Sequence, residues 1–204
     1  MQSAIPIAPG VFLWRGYFPP PAQKALLQDV QTRLVEAPLY RPVMPKSGKP
    51  FSVTESNFGR LGWVSDKAGY RYQPLHPVTG MAWPAIPPAL LALWHELASS
   101  PPPDCCLINF YAEGAKMGLH QDRDEKDISA PVIGVSLGDD AVFRIGGTVR
   151  GGATQSLRLA SGDVLLFGGA ARLAWHGIDR IIAGSSRLLP SGGRLSLTLR
   201  KVET

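Results

Sequence analysis

The chain of 204 residues is 45% hydrophobic and 18% charged, the balance of one globular domain with an ordinary core rather than two independent ones. No stretch approaches twenty uninterrupted apolar residues, and Pro6, Pro9, Arg15, Pro19 and Pro20 interrupt the first twenty, which argues against a signal sequence or a membrane span. Cys105 and Cys106 are sequence neighbours, badly placed to bridge each other, and suit a reducing compartment. These features read as a soluble, cytoplasmic monomer without membrane contact.

The formal net charge of +5 is unevenly spread: Arg41, Lys46, Lys49, Arg60, Lys67 and Arg71 face only Glu55 and Asp66 in that stretch. Beside Phe51, Phe58, Trp63, Tyr70 and Tyr72, the surplus suits a surface that holds a phosphate backbone and stacks a base. It suits equally a solvated basic face next to core aromatics.

In chain order, Pro20 to Glu36 reads as a helix, with prolines where a first turn tolerates them, apolar Ala22, Leu26, Val30 and Leu34, and a stop at Pro38. Tyr40 to Pro88, rich in Gly, Pro and aromatics, reads as hairpins and loops. A second helix over Pro88 to Ala98 carries the stripe Leu90, Leu93, Trp94 and Leu97 and ends before Pro101-Pro102-Pro103. From Asp104 the chain turns to short apolar runs separated by glycines: Leu107–Tyr111, Val132–Leu137, Ala141–Ile145, Ser156–Leu159, Val164–Phe167 and Leu195–Arg200. Such a series of strands after helices predicts an α+β, mainly β fold, a sandwich or jelly roll with helices over one sheet.

Of four histidines, His120 opens His120-Gln121-Asp122, where an extended strand would project an imidazole and a carboxylate to one face. His176, 54 residues after Asp122, is the candidate third ligand. Two His and one carboxylate leave three positions open on an octahedral ion, the donor set of non-haem iron oxygenases. A chance His-x-Asp and a satisfied core histidine are the alternatives. At the C-terminus, Arg194-Leu195-Ser196-Leu197-Thr198-Leu199-Arg200 alternates strictly, with both arginines on the polar face. Their Cα atoms would stand roughly 20 Å apart, and side chains reaching inward about 6 Å each would bring the guanidiniums to about the length of a five-carbon dicarboxylate.

The run Leu107-Ile108-Asn109-Phe110-Tyr111, continuing through Gly114-Ala115-Lys116 to His120-Gln121-Asp122-Arg123-Asp124-Glu125, resembles the signature of the AlkB family. So do the C-terminal Arg-x-x-x-x-x-Arg strand, Leu61-Gly62-Trp63, Gly69-Tyr70-Arg71-Tyr72 and Trp83-Pro84, in family order over about residues 50 to 200. The resemblance implies a double-stranded β-helix (jelly roll) in a single domain over 1–204, with N-terminal helices, a nucleotide-recognition lid at about 40–88 and a core at about 104–204. It implies iron(II) on His120, Asp122 and His176, and 2-oxoglutarate on Asn109, Tyr111, Arg194, Ser196 and Arg200, with Arg200 gripping the carboxylate nearest the metal. It places Trp63, Tyr70 and Tyr72 in the lid, Asp124 and Glu125 near the damaged base, and Arg150 on a substrate-contacting loop. Ser196 departs from the asparagine common in relatives, and Arg41 to Lys49 matches poorly.

The implied activity is oxidative dealkylation of bases such as 1-methyladenine and 3-methylcytosine, coupled to decarboxylation of 2-oxoglutarate with O₂. The implied partner is single-stranded DNA, with double-stranded DNA and RNA left open. An AlkB-like oxygenase acting on RNA, protein or a small molecule is the alternative of the same chemistry. A non-catalytic jelly-roll nucleic-acid-binding module is the alternative of another class.

Overall fold

The computed structural model describes residues 3–204. Two short strands, β1 (Ile5–Ala8) and β2 (Val11–Trp14), precede helix α1 (Pro20–Glu36). Then come β3 (Thr54–Gly59), β4 (Gly62–Asp66), β5 (Gly69–Gln73), helix α2 (Pro88–Leu97) and β6 (Cys105–Tyr111). The remaining strands are β7 (Met117–His120), β8 (Val132–Gly138), β9 (Asp140–Gly146), β10 (Thr154–Leu159), β11 (Val164–Phe167), β12 (His176–Ile182) and β13 (Arg194–Arg200). No helix among the described residues is long and apolar enough to cross a membrane.

The strands form a seven-stranded sheet in the order β1-β2-β11-β8-β13-β6-β3, a four-stranded sheet β10-β9-β12-β7 and a separate hairpin β4-β5. Strand alternation divides the larger sheet into two faces. Ile108, Leu195, Leu197, Leu199, Ile133 and Val135 pack outward under Leu26, Leu27 and Val30 of α1 and Leu90, Leu93 and Trp94 of α2. The opposite face meets the smaller sheet through Tyr111, Val132, Phe143, Ile145, Leu165, Phe167 and Ile178. Arg194, Ser196, Thr198 and Arg200 point into this inner space because they alternate with the leucines. Two apolar layers around one sheet bury enough area to fix its register, and a one-residue slip would turn the arginines into the helix-covered core.

The expected helices and strands appear within a residue or two, and the jelly-roll class holds. Two features differ from the sequence reading. β3 lies inside the span expected to be lid, yet it pairs with β6 as the edge of the main sheet, so only the β4–β5 hairpin and its flanking loops stand apart from the core. The strand carrying His120 ends at that residue, leaving Asp122 in the following loop rather than on the same strand face. Cys105 and Cys106 are free and buried, one in the cluster with Leu61 and Leu107, the other in the helix-covered core.

Candidate active site

β12 pairs antiparallel with β7, with His176 opposite His120. This pairing closes the sequence gap between the two imidazoles and sets their ring centroids 4.5 Å apart. Gly177 makes the approach possible, since a Cβ there would sit 2.5 Å from the Met117 carbonyl oxygen. Each ring is oriented by the same device: Nδ1 of His120 donates to the Gly118 carbonyl and Nδ1 of His176 to the Ala174 carbonyl, both at 2.9 Å. This tautomer leaves Nε2 as a free lone pair. The two Nε2 atoms each stand 3.7 Å from an oxygen of Asp122, and one ligand atom from each of the three residues falls within 4.8 Å of the others.

The electrostatics favour ligation. Burial holds His176 down to about 4, so its ring is neutral at neutral pH. Burial would raise the Asp122 carboxyl, but Arg200, His176 and His120 more than offset it and bring it down to about 2. An ionised carboxylate and a neutral imidazole are the protonation states a divalent metal requires of such ligands.

Arg172 fixes the loop that carries Asp122. Its Nη1 donates to the Asp122 carbonyl at 2.6 Å, its Nε to the Ala130 carbonyl at 2.8 Å, and its Nη2 pairs with Glu125 at 3.2 Å. Sequence reading missed this residue. The available signal was a lone arginine in the apolar run leading to His176.

The inner face of the main sheet supplies an anion cradle. Arg194 is 2% exposed and only its Nη2 is engaged, donating to Ser136 Oγ at 2.8 Å, while Nε and Nη1 have no partner among the described residues. Arg200 contacts Asp122 Oδ2 at 2.9 Å and Glu125 Oε1 at 3.0 Å and keeps Nε unpartnered. Tyr111 lies opposite Arg194, and Asn109 opposite Ser196, in the β6–β13 register. Buried donors without acceptors are costly. Here they belong to two guanidiniums on one face, which an acceptor-rich dicarboxylate satisfies. The residues present therefore fit both groups: imidazole and carboxylate for iron(II), and unfilled arginine donors for 2-oxoglutarate.

Above the cleft, Trp63 on β4 stacks on Tyr70 on β5, with centroids 5.5 Å apart and planes at 17°, and Trp63 Nε1 donates to Asp124 at 2.8 Å. Tyr70 is half exposed. Tyr72 and Glu125 occupy different ground from the sequence expectation. The Tyr72 hydroxyl donates to Glu125 at 2.5 Å and accepts from Arg200 at 3.2 Å, and the Glu125 side chain is wholly enclosed. These two brace Arg200 and Arg172, whereas Trp63, Tyr70 and exposed Asp124 form a separate cluster on the hairpin side of the cleft. Arg150 is not brought to the metal. Its guanidinium lies 5.7 Å from the Trp175 ring centre, beside a cavity of about 290 Å³ that Leu119 also lines. Leu119 and Trp175 neighbour the histidines in sequence and, in extended chain, face the other way.

The description "2OG-Fe(II) oxygenase superfamily" matches residues 10–200. A relative from Caulobacter vibrioides named alpha-ketoglutarate-dependent dioxygenase AlkB homolog is 53% identical over all of this chain and 93% of its own length. The chain belongs to the AlkB family. The Escherichia coli dioxygenase AlkB is 40% identical over 88% of this chain and 84% of its own. The solved structure of OsALKBH1 superposes with a TM-score of 0.81 at 30% identity, covering 98% of this chain and all of that one. The chain is thus an iron(II)- and 2-oxoglutarate-dependent dioxygenase.

Proposed function

We propose that this dioxygenase removes small alkyl groups from ring nitrogens of bases such as 1-methyladenine and 3-methylcytosine, with single-stranded DNA as its preferred substrate. The observation that carries the substrate class is the Trp63–Tyr70 stack, in which Tyr70 covers one face of the indole and Trp63 Nε1 donates to Asp124, two residues past the metal ligand Asp122. Arg41, Lys46 and Lys49 stand exposed on the preceding loop without an acidic partner among the described residues, and that loop meets Tyr70 through Met44. Aromatic rings next to unpaired cations bind single strands by stacking and phosphate contact, and an unpaired base flips at least cost.

With iron(II) and 2-oxoglutarate bound, the site supplies an oxidant able to hydroxylate an N-alkyl carbon. One oxygen atom of O₂ ends in succinate, formed with carbon dioxide, and the other leaves with the alkyl group as an aldehyde. The chain's own side chains bind and orient. His120, Asp122 and His176 would hold the metal on one face, Arg200 and Arg194 the two carboxylates, and Asn109, Tyr111 and Ser196 the length between them. Trp63 would stack the base over the centre. No side chain serves as a nucleophile, so the protein contributes position and exclusion of water. Formaldehyde and succinate released in equal amounts from single-stranded DNA carrying 3-methylcytosine, with the base restored, test the reading. Cosubstrate turnover without base repair overturns it.

A further inference from the structure

The register of the main sheet sets Glu55 of β3 opposite Asn109 of β6, and Asn109 opposite Ser196 of β13. Directly opposed residues on antiparallel strands project to one side, with Cβ atoms roughly 5 Å apart. Ser196 alternates with the leucines of β13, so all three lie on the inner face, two residues along from the Arg194–Tyr111 pair. Two oxygens of this row are enclosed without a partner among the described residues, Glu55 Oε2 and Asn109 Oδ1, whereas the Asn109 amide nitrogen carries no such deficit. The Ser196 hydroxyl, though opposite, makes no bond to Asn109 Oδ1. Adjacent acceptors repel unless one of them carries a hydrogen, and a carboxyl is the group here that can. Glu55 is 1% exposed, and burial pushes its carboxyl up to about 8, with Arg200 drawing it partly back. The other titratable groups that act on it are Tyr40, bridged to it, and Tyr111 on β6, both kept neutral by burial. Arg200 is already engaged by Asp122 and Glu125.

We propose that Glu55 is a positioning residue for the cosubstrate, donating its carboxyl proton to Asn109 Oδ1 and so holding the Asn109 amide nitrogen toward 2-oxoglutarate. The inference deepens the proposed function and rests on the place given there to Asn109. An asparagine amide can present either end, and the partner of one end decides what the other offers. With the proton on Glu55, Asn109 Oδ1 is satisfied and the NH₂ group is left for an acceptor-rich dicarboxylate. With Glu55 ionised, the carboxylate draws the NH₂ group to itself and turns the amide oxygen toward an anionic ligand. Binding of 2-oxoglutarate and retention of the Glu55 proton are therefore linked, each favouring the other. The residue acts through Asn109 and touches no reacting atom.

The test measures KM for 2-oxoglutarate in the native enzyme, E55Q and E55M at pH 7 and 8.5. The native KM should rise about fourfold between the two, as a carboxyl titrating near 8 ionises. E55Q, whose amide nitrogen donates at either pH, should keep a low KM without the rise. E55M, similar in length but without a donor, should show a KM raised about tenfold at both. A role in packing alone would leave all three independent of pH. A second measurement needs no turnover: in the metal-free native protein the side-chain amide NMR signal of Asn109, assigned by its loss in N109A, should move with a midpoint near pH 8 and stay still in E55Q. A flat native profile, E55Q as impaired as E55M, or an amide signal that does not titrate overturns the role of Glu55. An unchanged KM in N109A removes the place of Asn109 beside the cosubstrate and this inference with it. Repair of 3-methylcytosine by the native enzyme tests the proposed substrate independently of these results.

Discussion

Glu55, on β3 and 1% exposed, allows a quantitative statement about stability. Its carboxyl is raised from the usual 4.5 to about 8 in the folded protein, chiefly by burial. Between those values the folded protein keeps a proton that the unfolded chain releases. The contribution is therefore fully present below pH 4.5 and is lost as pH rises through about 8. Over that span, at about 1.4 kcal/mol per pH unit, the loss is on the order of 5 kcal/mol. Glutamine does not titrate, so E55Q lacks this slope, and the other titrating groups cancel in the difference. Melts of the metal-free proteins in buffers at pH 5, 7 and 8.5 should show the variant gaining on the native protein as pH rises. At roughly 2–4 °C per kcal/mol for a chain of this size, the gap in Tm should grow by about 10 °C. Parallel curves would refute the reasoning, because they would mean that the carboxyl is solvated or paired in the folded protein.

Gly177→Ala should separate β12 from β7, since its Cβ would meet the Met117 and Gly118 carbonyl oxygens at 2.5 and 2.8 Å; iron(II) titration should show affinity falling about ten- to a hundredfold. Arg172→Met should leave Glu125 buried with one partner fewer and free the Asp122 loop, costing about 3–5 kcal/mol in urea melts and weakening iron(II) in the same titration. Arg194→Lys replaces a planar fork by a point charge, so KM for 2-oxoglutarate should rise about tenfold or more while iron(II) affinity stays unchanged. Trp63→Phe keeps an aromatic face but loses the donor to Asp124, so oligonucleotide KM should rise severalfold with kcat nearly unaltered.

Helix α1 was legible from the sequence to the residue, because prolines bracket it and its apolar spacing is regular. The C-terminal strand was equally plain, since three leucines alternate with Arg194, Ser196, Thr198 and Arg200. β3 was hidden: Thr54-Glu55-Ser56-Asn57 is polar throughout, and its strand character comes from pairing with β6, a tertiary effect with no local periodicity. β12 was hidden for a related reason, because Asp179 and Arg180 interrupt its apolar run where the register shifts. The ligands could be named because His-x-Asp and a distant histidine are chemically conspicuous. The braces were not, because the tasks of Arg172, Glu125 and Tyr72 depend on loops that meet only in the fold. The same limit applies to Glu55, whose missing partner is visible only once its neighbours are placed.

The distribution of charge in the cleft gives its two ends different tasks. Near the metal ligands, Arg172 and Arg200 stand against Asp122 and Glu125, cation for anion, so that end is balanced before any ligand arrives. A divalent metal and a dianionic dicarboxylate, entering together, preserve the balance. Arg194 is different. It is buried, its hydrogen-bond partner among the described residues is the neutral hydroxyl of Ser136, burial draws its pKa down, and the carboxylates that act on it, Asp163 and Asp140, are paired with Arg15 and Arg158. A buried guanidinium without a directly paired anion costs several kcal/mol, and an anion placed beside it relieves that cost. A keto acid with a single carboxylate could occupy the metal end and would leave Arg194 as it was. Under the proposed roles of the two arginines, selection for a dicarboxylate falls at the end remote from the chemistry, where Arg194 Nε and Nη1 lack partners among the described residues.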